Sequence, residues 1–223
     1  MPIPNPVRLF HITAIANLQA ICQAGALQAK NRVQEAGRQY SNIAYQGAQG
    51  ARAVKAVPNP PGGRVHDFVP FYFAPRSPML FAINGGRVPG CDWRQADIVH
   101  LETSVEGVTA GGNPFVFYDC NATLAWSTPY TDLARLDAVA WDLITETPQL
   151  DGFCKFWQSV PGHERYTDRM ERRQAEFLVR DSVALTDIVR IGVINSAKRA
   201  EVQAILTAAG VHCVVEVKPD WYF

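Results

Sequence analysis

Glu176 is a carboxylate set inside an otherwise apolar, strand-like run, Ala175-Glu176-Phe177-Leu178-Val179. Side chains alternate across a strand, so Ala175, Phe177 and Val179 share one face while Glu176 shares the other with Leu178 and Arg180. Two readings stand side by side: a Glu on a half-exposed edge strand, or a catalytic carboxylate at the floor of a cleft, which needs partners from elsewhere. The candidates are His11 at the end of a first strand, Tyr72 in an aromatic strand, and arginines on the loops between. Such a carboxylate, with no activated Ser or Cys beside it, suits a reaction through an oxocarbenium-like transition state, in which a negative group steadies positive charge on a sugar. There is no Gly-x-Gly-x-x-Gly after a strand, no phosphate loop, no Gly-x-Ser-x-Gly elbow and no His-Glu-x-x-His.

Composition bounds the setting. At 223 residues and 48% hydrophobic content the chain can bury a full core, and its 21 basic and 21 acidic residues leave no overall field for nucleic acid or membrane. Any basic surface is local. The five cysteines form no Cys-x-x-Cys pair and the five histidines are scattered, which argues against a disulfide framework and a metal centre. Without a signal pattern or an apolar run near the roughly 18 residues of a membrane span, a cytoplasmic protein is expected.

The elements that must position these residues can be read along the chain. Val7 to Ile12 reads as a strand, with Thr13 as N-cap of a helix from Ala14 to Ala24 stopped by Gly25. Lys30 to Gly63, polar and dotted with Arg32, Arg38, Arg52 and Lys55, reads as a long loop with at most a short helix, either a binding lid or disordered. Val65 to Ala74 is an aromatic-rich strand; three consecutive aromatics cannot all face inward, so one of Phe71, Tyr72 and Phe73 is free to meet a flat ligand. Ser77 followed by Pro78 starts a helix that Gly85-Gly86 closes. Strands are expected at 97–105 and 114–119, a helix at 131–144, irregular chain at 145–174, strands at 188–194 and 211–217, and between these a helix capped by Ser196. This is α+β, in one domain, without regular βαβ alternation.

Five pieces in one order resemble a known family. Leu9-Phe10-His11-Ile12-Thr13, the Arg52 segment, His66 to Phe73, Ser77-Pro78-Met79-Leu80 and Ala175 to Val179 look like the DarT family of DNA ADP-ribosyltransferase toxins, within the diphtheria-toxin-like His, Tyr, Glu branch. The resemblance implies a split, strongly curved β core with short flanking helices and long loops, holding NAD as substrate without metal. It implies that His11 and Thr13, with Ile12 and Ser77, hold the nicotinamide side of NAD; that a loop near 31–56 covers it; that Tyr72 stacks near the nicotinamide; and that Glu176 orients the ribose and steadies its cation. Arg52 matches the arginine that reaches the active site. The acceptor implied is a thymine ring nitrogen in single-stranded DNA, which must lose its proton. Arg52 and Glu176 are the pair available for that, although an arginine is a poor base at its usual pKa; their division of labour stays open.

A substrate loop near 121–174 is expected to meet the DNA. Arg165, Arg169, Arg172 and Arg173, interleaved with Trp157 and Tyr166, would supply phosphate contacts and stacking platforms, or else are helix-surface arginines. By resemblance the protein is a monomeric toxin restrained by a DarG-type macrodomain antitoxin. A protein or RNA acceptor, including the NAD-using RNA phosphotransferase chemistry, and a non-catalytic nucleotide- or DNA-binding module are the alternatives.

Overall fold

Alternating apolar residues along eight segments build one mixed sheet, seen in a computed structural model that describes residues 2–38, 40, 41, 43 and 46–223. In chain order its strands and the small pairs beside it are β1 (Arg8–Ala14), β2 (Ala26–Gln28), β3 (Phe68–Tyr72), β4 (Ile98–Ser104), β5 (Phe115–Tyr118), β6 (Pro129–Tyr130), β7 (Gln149–Leu150), β8 (Phe153–Cys154), β9 (Glu176–Arg180), β10 (Ser182–Ala184), β11 (Arg190–Val193) and β12 (Val214–Val217). The sheet runs β12-β11-β4-β1-β3-β9-β5-β6, antiparallel throughout except for the parallel β11 and β12. Sheet β2–β10 and hairpin β7–β8 stand apart.

The sheet is split in the middle. β1 pairs with β4 over seven residues but meets β3 through the single pair Phe10–Tyr72, so the two halves diverge there and open a cleft between β1 and β3. On the far half, β9 lies between β3 and β5, with Glu176 paired to Tyr72 on one side and Tyr118 on the other. The edge-strand reading of Glu176 is therefore overturned: every side chain from Glu176 to Val179 is buried. Phe177 stacks on Phe115 at 5.1 Å between centroids and Phe73 meets Trp141 edge-on at 5.4 Å. Each fully buried aromatic of this kind contributes roughly 1.5–3 kcal/mol.

Helices are short: α1 (Leu18–Ala24), α2 (Lys30–Glu35), α3 (Gln46–Val54), α4 (Pro78–Asn84), α5 (Val105–Thr109), α6 (Trp141–Ile144), α7 (Arg169–Arg172) and α8 (Ser196–Ala208). Several sequence expectations change here. Thr13 is no N-cap: its backbone continues the ladder opposite Val99, so β1 runs to Ala14 and a 3-10 turn precedes α1. The polar stretch expected as loop carries α2 and α3, because Lys, Arg, Gln and Ala are good helix formers whatever their solubility; of that stretch, positions 39, 42, 44 and 45 lie outside the described residues. The helix expected at 131–144 is a 3-10 stretch, Leu133–Ala138, broken at extended Val139 before α6, with the Trp141 indole donating back to the Leu136 carbonyl. α8 is capped by Asn195, whose side chain accepts from the Lys198 N–H at 2.9 Å, and not by Ser196.

The Ser77 N-cap and Pro78 start of α4 stand as expected, and Gly25 stops α1 in the left-handed conformation. The chain end closes the other half of the sheet: Trp221 and Tyr222 are buried, with the Tyr222 hydroxyl donating to Ile98 and Gly192 carbonyls. Among the described residues no helix is long and apolar enough to cross a membrane.

Candidate functional site

The split gives a cleft of about 380 Å³, large enough for a dinucleotide portion to be held against its walls. β1 contributes His11, Ile12 and Thr13, β3 contributes Tyr72, and α2 and α3 close the open side with Lys30 and Arg52. Thus the segment expected to cover a ligand does line the cleft, as helices.

Arg52 and Glu176 face each other beneath this cleft. One guanidinium nitrogen, Nη1, donates to both carboxylate oxygens, at 3.0 and 2.8 Å, across 124 residues of sequence. Glu176 is wholly buried and Arg52 sits between it and the cleft, which Arg52 lines and Glu176 does not. Burial works against the Arg52 charge, but Glu176 outweighs it and holds the guanidinium above its ordinary range. In this arrangement Arg52 is a cation, not a base. Tyr72 and Tyr118 flank the carboxylate from the two neighbouring strands; burial, reinforced by Glu176, pushes both phenols up, Tyr118 to about 12. Both remain protonated donors at neutral pH.

His11 Nδ1 lies 2.9 Å from the Pro70 carbonyl, an acceptor, so Nδ1 carries the proton and Nε2 is left as an acceptor. Burial lowers the His11 pKa and keeps the ring neutral. The Thr13 hydroxyl accepts from Asn17 Nδ2 at 3.0 Å, and the same amide also donates to Ser41 O at 3.0 Å while accepting from Ser41 N at 2.7 Å, tying β1 to the covering segment. Lys30 is pinned by Gln49 at 2.7 Å. Beside it His66, buried, is lowered to about 4 by desolvation and by Lys30 and Arg52, so it stays neutral, its Nε2 without a partner among the described residues. Three cations, Lys30, Arg38 and Arg52, and neutral rings lining the cleft suit a diphosphate-bearing ligand. No group of three His, Cys, Asp or Glu able to hold a metal occurs among the described residues.

Other expected residues fall elsewhere. Ser77 is buried and its hydroxyl accepts the Leu80 N–H at 3.2 Å, so it holds α4, whose Pro78, Met79 and Ala82 line the cleft, and does not itself reach it. In the arginine-rich loop, Trp157, Arg169 and Arg173 are buried. Arg173 donates to the Cys154 and Phe156 carbonyls at 3.0 and 2.7 Å, and Arg169 pairs with Glu146 at 3.2 Å under the ring of Tyr166, 3.7 Å away. These three brace the loop, a correction to their expected role as DNA contacts. Tyr166 also bonds Glu146, at 2.8 Å, and Arg165 remains exposed.

Sequence reasoning missed Lys30, His66 and Tyr118, and on the neighbouring turn Asn121 and Thr123, which line the cleft, and Trp126, 64% exposed. Lys55 ties that turn to the Arg52 helix through the Leu124 carbonyl at 3.3 Å. Tyr118 could have been found once its strand was placed beside Glu176; His66 opens one of the stretches that carry the family resemblance but was given no role, and the others carry no periodicity or motif.

The family model described as ssDNA thymidine ADP-ribosyltransferase, DarT, matches residues 10–223. The chain is 36% identical over 222 residues to a DNA ADP-ribosyl transferase of Thermus sp. (strain 2.9), covering 99% of this chain and 98% of that one. The Thermus sp. 2.9 DarT structure in complex with ADP-ribosylated ssDNA superposes with a TM-score of 0.87 at 34% identity, covering 100% of this chain and 99% of the other. The complex of that protein with NAD+ superposes with a TM-score of 0.82 at 32% identity, covering both chains fully.

Proposed function

The chain belongs to the DarT family of ssDNA thymidine ADP-ribosyltransferases, and from that premise we propose that the cleft between β1 and β3 binds NAD while Arg52 and Glu176 carry out the transfer to thymine. The observation that carries this reading is the buried Arg52–Glu176 pair at the base of a cleft walled by His11, Thr13, Lys30 and Tyr72. NAD lies with its nicotinamide ribose toward Glu176. His11 Nε2 accepts from a ribose hydroxyl, Thr13 and Ile12 bound the amide side, Tyr72 stacks near the nicotinamide, and Lys30 faces the diphosphate.

The bond between ribose C1′ and nicotinamide breaks, nicotinamide leaving as the neutral ring with the bonding pair, and one forms from C1′ to the ring nitrogen on the pairing edge of thymine, whose proton passes to solvent water. Glu176 stabilises the sugar cation. Arg52 swings to the thymine and stabilises the anion left by that proton. DNA reaches the cleft along the turn carrying Trp126 and past Arg165, an exposed aromatic and an exposed cation of this region. Residues 1–223 act as one ADP-ribosyltransferase domain, with 31–56 covering NAD and 121–174 addressing DNA. It works in the cytoplasm as a monomeric toxin, and a macrodomain antitoxin reverses the modification.

Incubation with labelled NAD and separate DNA, RNA and protein acceptors tests this. Label enters thymine-containing single strands alone; label in RNA or protein and none in DNA overturns it.

A further inference from the structure

Glu176 cannot touch a sugar while Arg52 covers it: its side chain is 1% exposed, and Arg52 spans both of its oxygens. With Arg52 and Glu176 as the pair that carries out transfer, a reading on which the role of Tyr118 rests, Arg52 must turn from Glu176 to the thymine before the reaction. A buried carboxylate stripped of its cation is costly unless another donor takes over. Two hydroxyls stand directly across the strand on either side, Tyr72 and Tyr118. Tyr72 lines the cleft and, in the proposed reading, stacks near the nicotinamide. Tyr118 is 1% exposed, and its hydroxyl has no hydrogen-bond partner among the described residues.

That orphan hydroxyl is informative. Tyr118 sits in an apolar cluster with Val57, Val65, Phe68, Val116, Ala122 and Leu178, where a phenylalanine would fit without burying an unsatisfied group. The Arg52 Nη2 amino group is likewise buried and without a partner among the described residues, so the pair is not locked by every donor available to it. Around Glu176 the titratable groups are Arg52, Tyr72, Tyr118 and Cys120. The Cys120 thiol, held up by burial and by Asp119, is a weak donor.

We propose that Tyr118 is a positioning residue: when Arg52 turns to the thymine, the Tyr118 hydroxyl donates to the Glu176 carboxylate in its place, keeping it aimed at the ribose. Tyr118 touches no substrate and acts only through Glu176.

The test is Tyr118→Phe, assayed for NAD binding, for kcat and KM of transfer to a thymine-containing oligonucleotide, and for thermal unfolding. kcat falls about tenfold, the size of one hydrogen bond to a charged group, while KM for NAD stays within about threefold. The melting temperature holds or rises, since an unsatisfied buried hydroxyl has been removed. A kcat within about twofold of wild type, or a KM for NAD that rises as far as kcat falls, overturns the proposal. Glu176→Gln in the same assay separates the two readings. Loss of transfer in that variant beside a normal Tyr118→Phe defeats the role of Tyr118 alone, whereas retained transfer by Glu176→Gln removes the pair on which it rests.

Discussion

Arg52 reaches Glu176 with one amino group bonding both oxygens, and the side chains of the two residues are only 12% and 1% exposed. A pair so desolvated costs far more to break than a surface bridge. Arg52→Ala leaves an uncompensated buried carboxylate and is expected to lower stability by about 3 kcal/mol or more, as well as abolishing transfer. Adding Glu176→Gln to that variant recovers part of the loss, because the stranded charge is gone. Urea unfolding of the two single variants and the double variant checks this; an Arg52→Ala variant as stable as wild type shows the pair to be solvated. At this scale Glu176 was legible, as a carboxylate in an apolar run. Its partner came from resemblance, as did the stretch that holds His66, while the role of His66 and the presence of Lys30 were invisible, since what makes them members of the site is the approach of α2 and the turn before β3 to the cleft.

The elements hold the site through register. Gly192 of β11 lies against Trp221, and a Cβ there would run into the Trp221 ring itself. Gly192→Ala must displace the buried chain end and costs about 3 kcal/mol, read as a lower melting temperature, with transfer per folded molecule unchanged; a normal melting temperature would mean that Trp221 has room to yield. The arginine loop gives a contrast between two side chains. Arg165→Ala removes an exposed cation and lowers both oligonucleotide affinity and its salt dependence. Arg173→Ala removes a brace on the Cys154 and Phe156 carbonyls and lowers stability, leaving the salt slope alone. Equal salt slopes for wild type and Arg165→Ala would move the DNA path elsewhere. Strands β3, β4, β5 and β9 were legible from alternation and aromatic content, and α4 from Ser77-Pro78. α2 and α3 were not, because polar straight-chain residues look like loop while favouring helix, and the burial of Arg169 and Arg173 depends on Glu146 and two carbonyls that no local pattern announces.

At the scale of the molecule, balanced charge leaves recognition to the cleft, and acid sensitivity to a few buried groups. His100, fully buried with its Nε2 3.0 Å from the Pro75 carbonyl and its ring against Tyr222, is lowered by burial to about 4, and His66 likewise. Both are neutral when folded and bind a proton more readily when unfolded, so stability is full above about pH 6.5 and is lost as pH falls toward 4, by about 3 kcal/mol for His100 and by less for His66. Carboxylates such as Asp151, which burial raises but the Trp221 indole and Arg8 together hold below the usual range, add their loss only lower. Urea unfolding at pH 7 and 5 measures this, and His100→Gln flattens the slope; equal stability at the two pH values contradicts the buried neutral state. Composition and alternation reached an α+β class, but the split between β1 and β3, which makes the cleft, is a long-range pairing that no single segment encodes. The most direct measurement is mass spectrometry of a thymine-containing single-stranded oligonucleotide after incubation with NAD and either the wild-type chain or Glu176→Gln, both folded and both binding NAD. Wild type adds one ADP-ribose to thymine and Glu176→Gln falls by orders of magnitude, as an interaction made chiefly in the transition state requires. Modification by Glu176→Gln at the wild-type rate would contradict the account.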